Sequence, residues 1–304
     1  MSDWELKKKI KRCADEGLEL AKQGEYDKAT PLLTFACEND DVYSMVNLGH
    51  LYELIKEYDK AFYWNKKAAD HNNPTGIYNL LICYQFGKGV EPNGEEAIKL
   101  ADKLIELGRI DEGYFKKAII TKNGCGNLTG DPYKAFKIAL EGAEKIMSTF
   151  PNPSSGDDCE CVLEVGIMYE FGRGVEADRK KTMKYYEYCS LCEHEVGMFN
   201  YAQCLNYIDE NDAVSKKKTF KIYKTLFGWG YSDAGFELVK LYTSKNNIVE
   251  QDDHKGIILL AKSLRQNNFD GHYDEAIQKY KELCPEDFDD LISGRYSRTI
   301  DSNE

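Results

Sequence analysis

Apolar residues recur along this chain at intervals of three and four, the period of a helix with one buried face. The second copy shows it plainly: Leu48, Gly49 and Tyr52, then Ala61, Tyr63 and Trp64, then Ala68 and Ala69. Each such stretch predicts two amphipathic helices joined by a turn. Two positions mark every copy. A bulky residue near the end of the first helix falls at Leu20, Tyr52, Tyr84, Thr121, Tyr169, Leu205 and Tyr242. A small residue in the second helix falls at Ala29, Ala61, Ala97, Ala135, Thr182, Thr219 and Gly256. Successive small positions lie 32, 36, 38, 47, 37 and 37 residues apart, the period of a stacked helix–turn–helix array. Gly49, Gly166 and Ala202 let paired helices approach closely. Large aromatics then fill the space between neighbouring pairs, which accounts for 21 tyrosines without any appeal to catalysis.

The distance between the two markers changes along the chain. It is 9 residues in the first two copies and 13 or 14 in the later five. The added residues lengthen the turn between helices. In two copies that turn is nearly identical: "YQFGKGVEP" from Tyr84 and "YEFGRGVEA" from Tyr169. A phosphate-cradling loop needs Ser or Thr after its lysine, or a strand ahead of it. Neither is present. Gly87 and Gly89, Gly124 and Gly126, and Gly172 and Gly174 are therefore expected to reverse the chain between antiparallel helices, using backbone conformations other residues avoid. Val90 and Val175 are expected to tuck back toward the core.

"VGIMYEFGRGVEADRKKTMKYY" resembles the Sel1-like repeat, a relative of the tetratricopeptide repeat. "TKNGCGNLTGDPYKAFKIALEGA" keeps the Gly124-x-Gly126 and Ala135 positions. "GLELAKQGEYDKA", with Gly17, Gly24, Tyr26 and Ala29, is closer to a plain tetratricopeptide pattern. The resemblance covers roughly residues 10–270. It implies an all-α, right-handed α-α superhelix (solenoid) of about seven helix pairs with a C-terminal helical cap. Along the sequence this reads as two tetratricopeptide-like repeats over 1–70, Sel1-like repeats over 71–147, an inserted loop at 148–161, and Sel1-like repeats over 162–270. Capping helices over 271–294 and a tail over 295–304 complete one continuous solenoid.

Composition narrows the function. The 304 residues carry 52 acidic and 40 basic side chains, a net charge of −12. Nucleic acid or an anionic membrane surface would need clustered cations. No apolar run approaches the ~20 residues that span a bilayer. "MSDWELKKKIKRCADEG" lacks the apolar stretch of a secretory signal. The ten cysteines follow no regular framework, which suits reduced thiols in a cytoplasmic setting.

Candidate chemistry is sparse. The five histidines, His50, His71, His194, His254 and His272, fall in different repeats. The acidic pair Asp289-Asp290 reads as a solvated face. No catalytic signature of a zinc protease, serine hydrolase or kinase occurs. One cluster stands out. Cys159 and Cys161 open the first helix of the fifth copy, and Cys189 and Cys192 close its second. The two ends of an antiparallel pair meet, so these four could be zinc thiolates or simply neighbouring core cysteines. Cysteine-rich Sel1-like proteins place helix-to-helix disulfides at similar points, which makes a disulfide a further alternative.

No cofactor is expected. The Sel1-like resemblance implies a non-enzymatic adaptor that binds a protein or peptide on its concave face, which first helices line. The expected lining is Tyr43, His50, Glu53, Tyr78, Gln85, Phe115, Lys122, Glu170, Phe199, Gln203, Asn206, Phe236 and Lys240. Aromatics supply anchoring area and polar groups fix orientation. The acidic balance favours a basic or neutral partner, and self-association is a further possibility. The rival is an enzyme on the same scaffold, a hydrolase of the penicillin-binding kind. That chemistry needs Ser-x-x-Lys with companion motifs, which "SLCEH" and "SKKKT" do not supply.

Overall fold

The structure, a computed structural model, describes residues 2–153, 156, 158–208, 212–243, 249–266 and 273–283. The fold is an all-α solenoid. Among the described residues it holds fifteen helices and one two-stranded hairpin. The chain divides into two compact units.

Unit 1 comprises Met1–Pro151 with Asp158–Asp178. It contains α1 (Asp3–Lys22), α2 (Tyr26–Glu38), α3 (Val42–Leu54), α4 (Tyr58–Asp70), α5 (Pro74–Phe86), α6 (Gly94–Glu106) and α7 (Ile110–Asn123). The hairpin follows, β1 (Gly124–Cys125) and β2 (Leu128–Thr129), and then α8 (Pro132–Thr149) and α9 (Glu160–Phe171). Each helix packs on the one before it. Unit 2 comprises Asn152–Asp157 with Arg179–Glu304. Its helices are α10 (Arg179–Leu191), α11 (Glu195–Ile208), α12 (Ala213–Gly228), α13 (Ser232–Tyr242), α14 (Asp253–Gln266) and α15 (Tyr273–Leu283). They also pack in chain order.

The helices start where short polar side chains can take up the unpaired N–H groups of a first turn. Ser2 and Glu5 form a reciprocal box at α1. Asp41, Asn73, Asn93, Asp131 and Asp212 cap α3, α5, α6, α8 and α12. Pro74 and Pro132 follow their caps, where a missing N–H costs nothing.

The small markers are buried: Ala29, Ala97, Ala135 and Thr219 at 0% exposure, Ala61 and Thr182 at 2%. The bulky markers Thr121, Tyr169 and Leu205 are buried as well, and Leu20, Tyr52, Tyr84 and Tyr242 are half-buried. One cluster in unit 1 gathers Ala29, Leu33, Met45, Leu48 and Leu51. Another gathers Ile77, Leu81, Ala97, Leu104 and Ile120. In unit 2, Phe236, Val239, Leu260 and Tyr280 form a third. Each fully buried leucine or isoleucine contributes about 1.5–3 kcal/mol of transfer free energy.

The glycine turns connect helices. Gly87 and Gly172 take left-handed conformations, φ 70° and 65°, at the ends of α5 and α9. The second glycine of each turn does something further. A side chain at Gly89 would strike the Tyr58 carbonyl at the start of α4, and one at Gly174 would strike the Pro132 carbonyl at the start of α8. Gly126 meets the Pro92 carbonyl ahead of α6 in the same way. Each turn thus seats against the second helix of the preceding repeat. Val90 and Val175 are half-buried.

The turn of the fourth repeat departs from the others. Its chain reversal is a β-hairpin that pairs Gly124 with Thr129 and Cys125 with Leu128. Gly126 and Asn127 form the two-residue loop, and Gly126 takes the positive φ, 52°, that such a loop demands. Asn127 Oδ1 accepts from the Gly94 N–H at 3.1 Å, a second cap on α6. The interval expected as a loop at 148–161 is partly helical, since α8 runs to Thr149 and α9 begins at Glu160. Helix α15 covers part of the expected cap. His272, Cys284, the Asp289-Asp290 pair and the tail over 295–304 lie outside the described residues.

Candidate functional site

Two first helices of unit 1, α5 and α7, frame the most chemically distinctive groove. On α5, Ile77, Leu80 and Leu81 face the core. Tyr78, one residue past Ile77, packs partly against that core and leaves the rest of its ring at the surface. On α7, Ala118 and Ile120 are buried, and Phe115 and Lys116 stand on the partly open side. The groove between these helices encloses about 290 Å³ and is lined by Tyr78, Arg109, Asp111, Glu112, Phe115, Lys116, Asp158 and Glu160. Lys116 Nζ lies 5.0 Å from the Tyr78 ring centroid and 5.7 Å from that of Phe115. Both distances fall within cation–π range. Tyr78 and Phe115 thus line one groove with a lysine ammonium near both rings.

Carboxylates line the other side. Asp111 is 8% exposed. Its Oδ1 accepts from the Cys161 N–H at 2.8 Å and its Oδ2 from the Glu160 N–H at 3.1 Å. Cys159, at the N-cap of α9, makes no side-chain capping bond. Asp111 supplies that cap from α7. Burial pushes its carboxyl up to about 6, against the two N–H bonds, and nearby Asp158 and Glu160 add to the rise. Glu112 pairs with Arg109 at 3.2 Å. Burial raises its carboxyl too, partly offset by that guanidinium. An acid shifted toward neutrality can signal catalysis. Here both oxygens of Asp111 are committed to backbone donors, so the shift belongs to a helix cap.

A second groove, about 440 Å³, runs between α1 and α3. Ile10, Ala14 and Leu18 form its floor, with Lys7, Lys11, Asp15, Asp41 and Tyr43 around them. Tyr43 is 76% exposed, the most open of the expected lining aromatics.

The other expected lining residues divide by environment. His50 and Glu170 are exposed, and Gln85 and Gln203 half-buried. Glu53 pairs with Lys88 of the glycine turn. Lys122 pairs with Glu164 of α9 at 2.6 Å, the two side chains 19% and 8% exposed. Asn206 Nδ2 donates to the Tyr223 hydroxyl at 3.3 Å. Lys240 pairs with Glu237 at 2.7 Å and lies 4.5 Å from the Phe236 ring centroid.

Phe199 and Phe236 need correction as lining residues. They are 8% and 3% exposed. Phe199 packs against Tyr223 and Tyr231 at centroid distances of 5.7 and 5.3 Å. Both faces of α13 are buried, from Ser232 through Val239, so Phe236 has no open side. Sequence reasoning also missed Lys116, Arg109, Asp111 and Glu112. Lys116 directly follows Phe115, and that adjacency was the available signal. Asp111 looks in sequence like an ordinary acid in a first helical turn.

The four cysteines weighed as zinc ligands divide between the units. Cys159 and Cys161 belong to unit 1, Cys189 and Cys192 to unit 2, and all four are buried. Cys161 Sγ donates to the Ala139 carbonyl at 3.2 Å. Burial, with Asp111 and Glu164 nearby, holds its thiol well above the ordinary range, the reverse of what a thiolate ligand needs. Among the described residues no group of three or more His, Cys, Asp or Glu side chains could hold a metal ion.

The Sel1 repeat model matches residues 42–73, 76–108, 160–188 and 242–268. The first two matches follow α3 with α4 and α5 with α6. Among known proteins, the chain is similar to chitin synthase regulatory factor 2 of Schizosaccharomyces pombe, 26% identical over 184 residues. That stretch is 60% of this chain and 28% of the relative, so the chain spans under a third of that protein's length. Among solved structures, a Sel1 repeat protein from Oxalobacter formigenes superposes with a TM-score of 0.59 at 24% identity, covering 88% of this chain and 99% of that one. A protective antigen of uropathogenic Escherichia coli strains, described as displaying an SLR fold, gives 0.51 at 20% identity, covering 93% and 67%. These likenesses establish the fold. With the repeat period and the glycine turns in agreement, the chain carries four Sel1 repeats, over residues 42–73, 76–108, 160–188 and 242–268.

Proposed function

We propose that this chain is a non-enzymatic scaffold whose first-helix face in unit 1 binds a basic or neutral segment of another protein. The observation that carries this reading is the α5–α7 groove. It offers two part-exposed aromatic rings, Tyr78 and Phe115, beside four carboxylates and two cations. Aromatic rings in a partly desolvated groove are the usual anchors of a protein interface. A carboxylate excess attracts a basic segment and steers its approach. The fold and the relative named as a regulatory factor agree with a binding role. A catalytic role lacks a comparable observation, because the one strongly shifted acid of the groove is tied up in capping α9.

The test begins with capture of a partner from cells by the whole chain. The bound segment is then titrated against three forms: native, Phe115→Ala, and Tyr133→Ala as an exposed control on α8. Phe115→Ala is expected to weaken binding about tenfold or more, and Tyr133→Ala to leave it unchanged. Equal affinity for all three would move the site off this groove.

A further inference from the structure

From the same groove we infer that the aromatic pair is a seat for a guanidinium group, and that Lys116 occupies it in the absence of a partner. This rests on the reading of the α5–α7 groove as the docking face, and it names the side chain that docks.

Two independent features point to a cation. The first is the ring pair. Lys116 Nζ stands over both Tyr78 and Phe115, at 5.0 and 5.7 Å. The faces of aromatic rings carry negative potential, and a planar guanidinium can stack there as well as pair electrostatically. The second is the rim. Asp158 and Glu160 line the same groove, beside Glu112, which already holds the Arg109 guanidinium at 3.2 Å, and carboxylates accept paired N–H bonds from a guanidinium fork. A lysine ammonium can contact ring faces, but it is a compact point charge without that planar fork. An incoming arginine has both capacities. It therefore displaces Lys116, whose flexible stem lets the ammonium move out to water. Lys116 is in this sense a built-in competitor that raises the threshold for weakly basic segments.

The probe is a short acetylated glycine–serine peptide with one central arginine, beside a counterpart with citrulline, which keeps the shape and loses the charge. Binding to the whole chain is followed by nuclear magnetic resonance shifts of the Tyr78 ring. Lys116→Ala is expected to bind the arginine peptide roughly two- to fivefold more tightly than the native chain, the range of an exposed cation–π contact. Lys116→Arg should show no gain. The citrulline peptide should gain nothing from Lys116→Ala. Lys99→Ala, which removes a cation from α6, measures the general effect of net charge and should change affinity far less.

The seat is overturned if Lys116→Ala binds the arginine peptide no better than Lys99→Ala does, or if citrulline gains equally. If that happens while Phe115→Ala still abolishes binding of a captured partner, the guanidinium seat fails and the docking face stands. If Phe115→Ala changes neither the arginine peptide nor the partner, both readings fail together.

Discussion

Asp111 caps a helix that begins 49 residues further along the chain: its carboxylate accepts N–H bonds from Glu160 at 3.1 Å and Cys161 at 2.8 Å. The helix α9 has no cap of its own. The longest interval between repeats ends at this helix, and Asp111 fixes where it starts. Asp111→Ala should therefore destabilise unit 1 by about 1–2 kcal/mol, the worth of a lost helix cap. Urea unfolding followed by circular dichroism measures it.

The same contact predicts a pH dependence. The Asp111 carboxyl is raised to about 6, chiefly by burial. The folded state then binds the proton more tightly than the unfolded chain does. Stability from this group rises as pH falls through about 6 and is lost as pH rises back. Asparagine at this position does not titrate. The stability of the native chain relative to Asp111→Asn should thus increase by on the order of 2 kcal/mol between about pH 7 and about pH 4. A constant difference across that window would show that Asp111 keeps an ordinary carboxyl.

The glycine turns can be tested by space as well as conformation. Gly24 and Gly89 both have positive φ, 78° and 70°. Nothing lies within 4 Å of a side chain added at Gly24, whereas one at Gly89 meets the Tyr58 backbone. Gly24→Ala should cost about 1 kcal/mol, the left-handed strain alone. Gly89→Ala should cost at least about twice that, because backbone must move. Equal costs would mean that the turn does not bear on the preceding repeat.

The Lys122–Glu164 pair links α7 to α9. Lys122→Ala leaves a buried carboxylate unpaired and should cost roughly 3 kcal/mol. Replacing both residues, Lys122→Met with Glu164→Leu, should restore most of that loss, since a buried pair exchanged for packed apolar groups is often near neutral. Thermal unfolding of the three forms decides it.

Phe199 and Phe115 should behave oppositely. Phe199→Ala opens a cavity beside Tyr223 and Tyr231 and should cost about 3–5 kcal/mol of stability. Phe115→Ala should act mainly on partner binding. Stability curves alongside titrations separate the two roles.

The helical period and the marker spacing were enough to place the helices, because stacked repeats restate the same pattern many times. Ala29, Ala97 and Ala135 fall at the buried positions the pattern required. Tyr78 and Phe115, on successive first helices, both line the α5–α7 groove. The faces of α11 and α13 were not legible. On α13 the polar Ser232, Asp233 and Glu237 are buried along with Phe236, so polarity marks no open side there, and Phe199 on α11 is enclosed by Tyr223 and Tyr231. Tyr78, expected in the groove lining, lines the groove and also packs partly against Ile77 and its neighbours. Asp111 was invisible for another reason. Its partners lie beyond an insertion, and no local rule reports a cap donated from so far away.

The seating of Gly89 on α4 and of Gly174 on α8 has an evolutionary consequence. A segment running from the start of one first helix to the end of its second helix carries both halves of this joint: a glycine turn that fits the copy behind, and a helix start that receives the turn of the copy ahead. Tandem duplication of such a segment yields copies that fit one another at once. Arrays of this kind can therefore gain or lose units with each junction already complementary, and their length can drift under selection for reach while the joints stay the same.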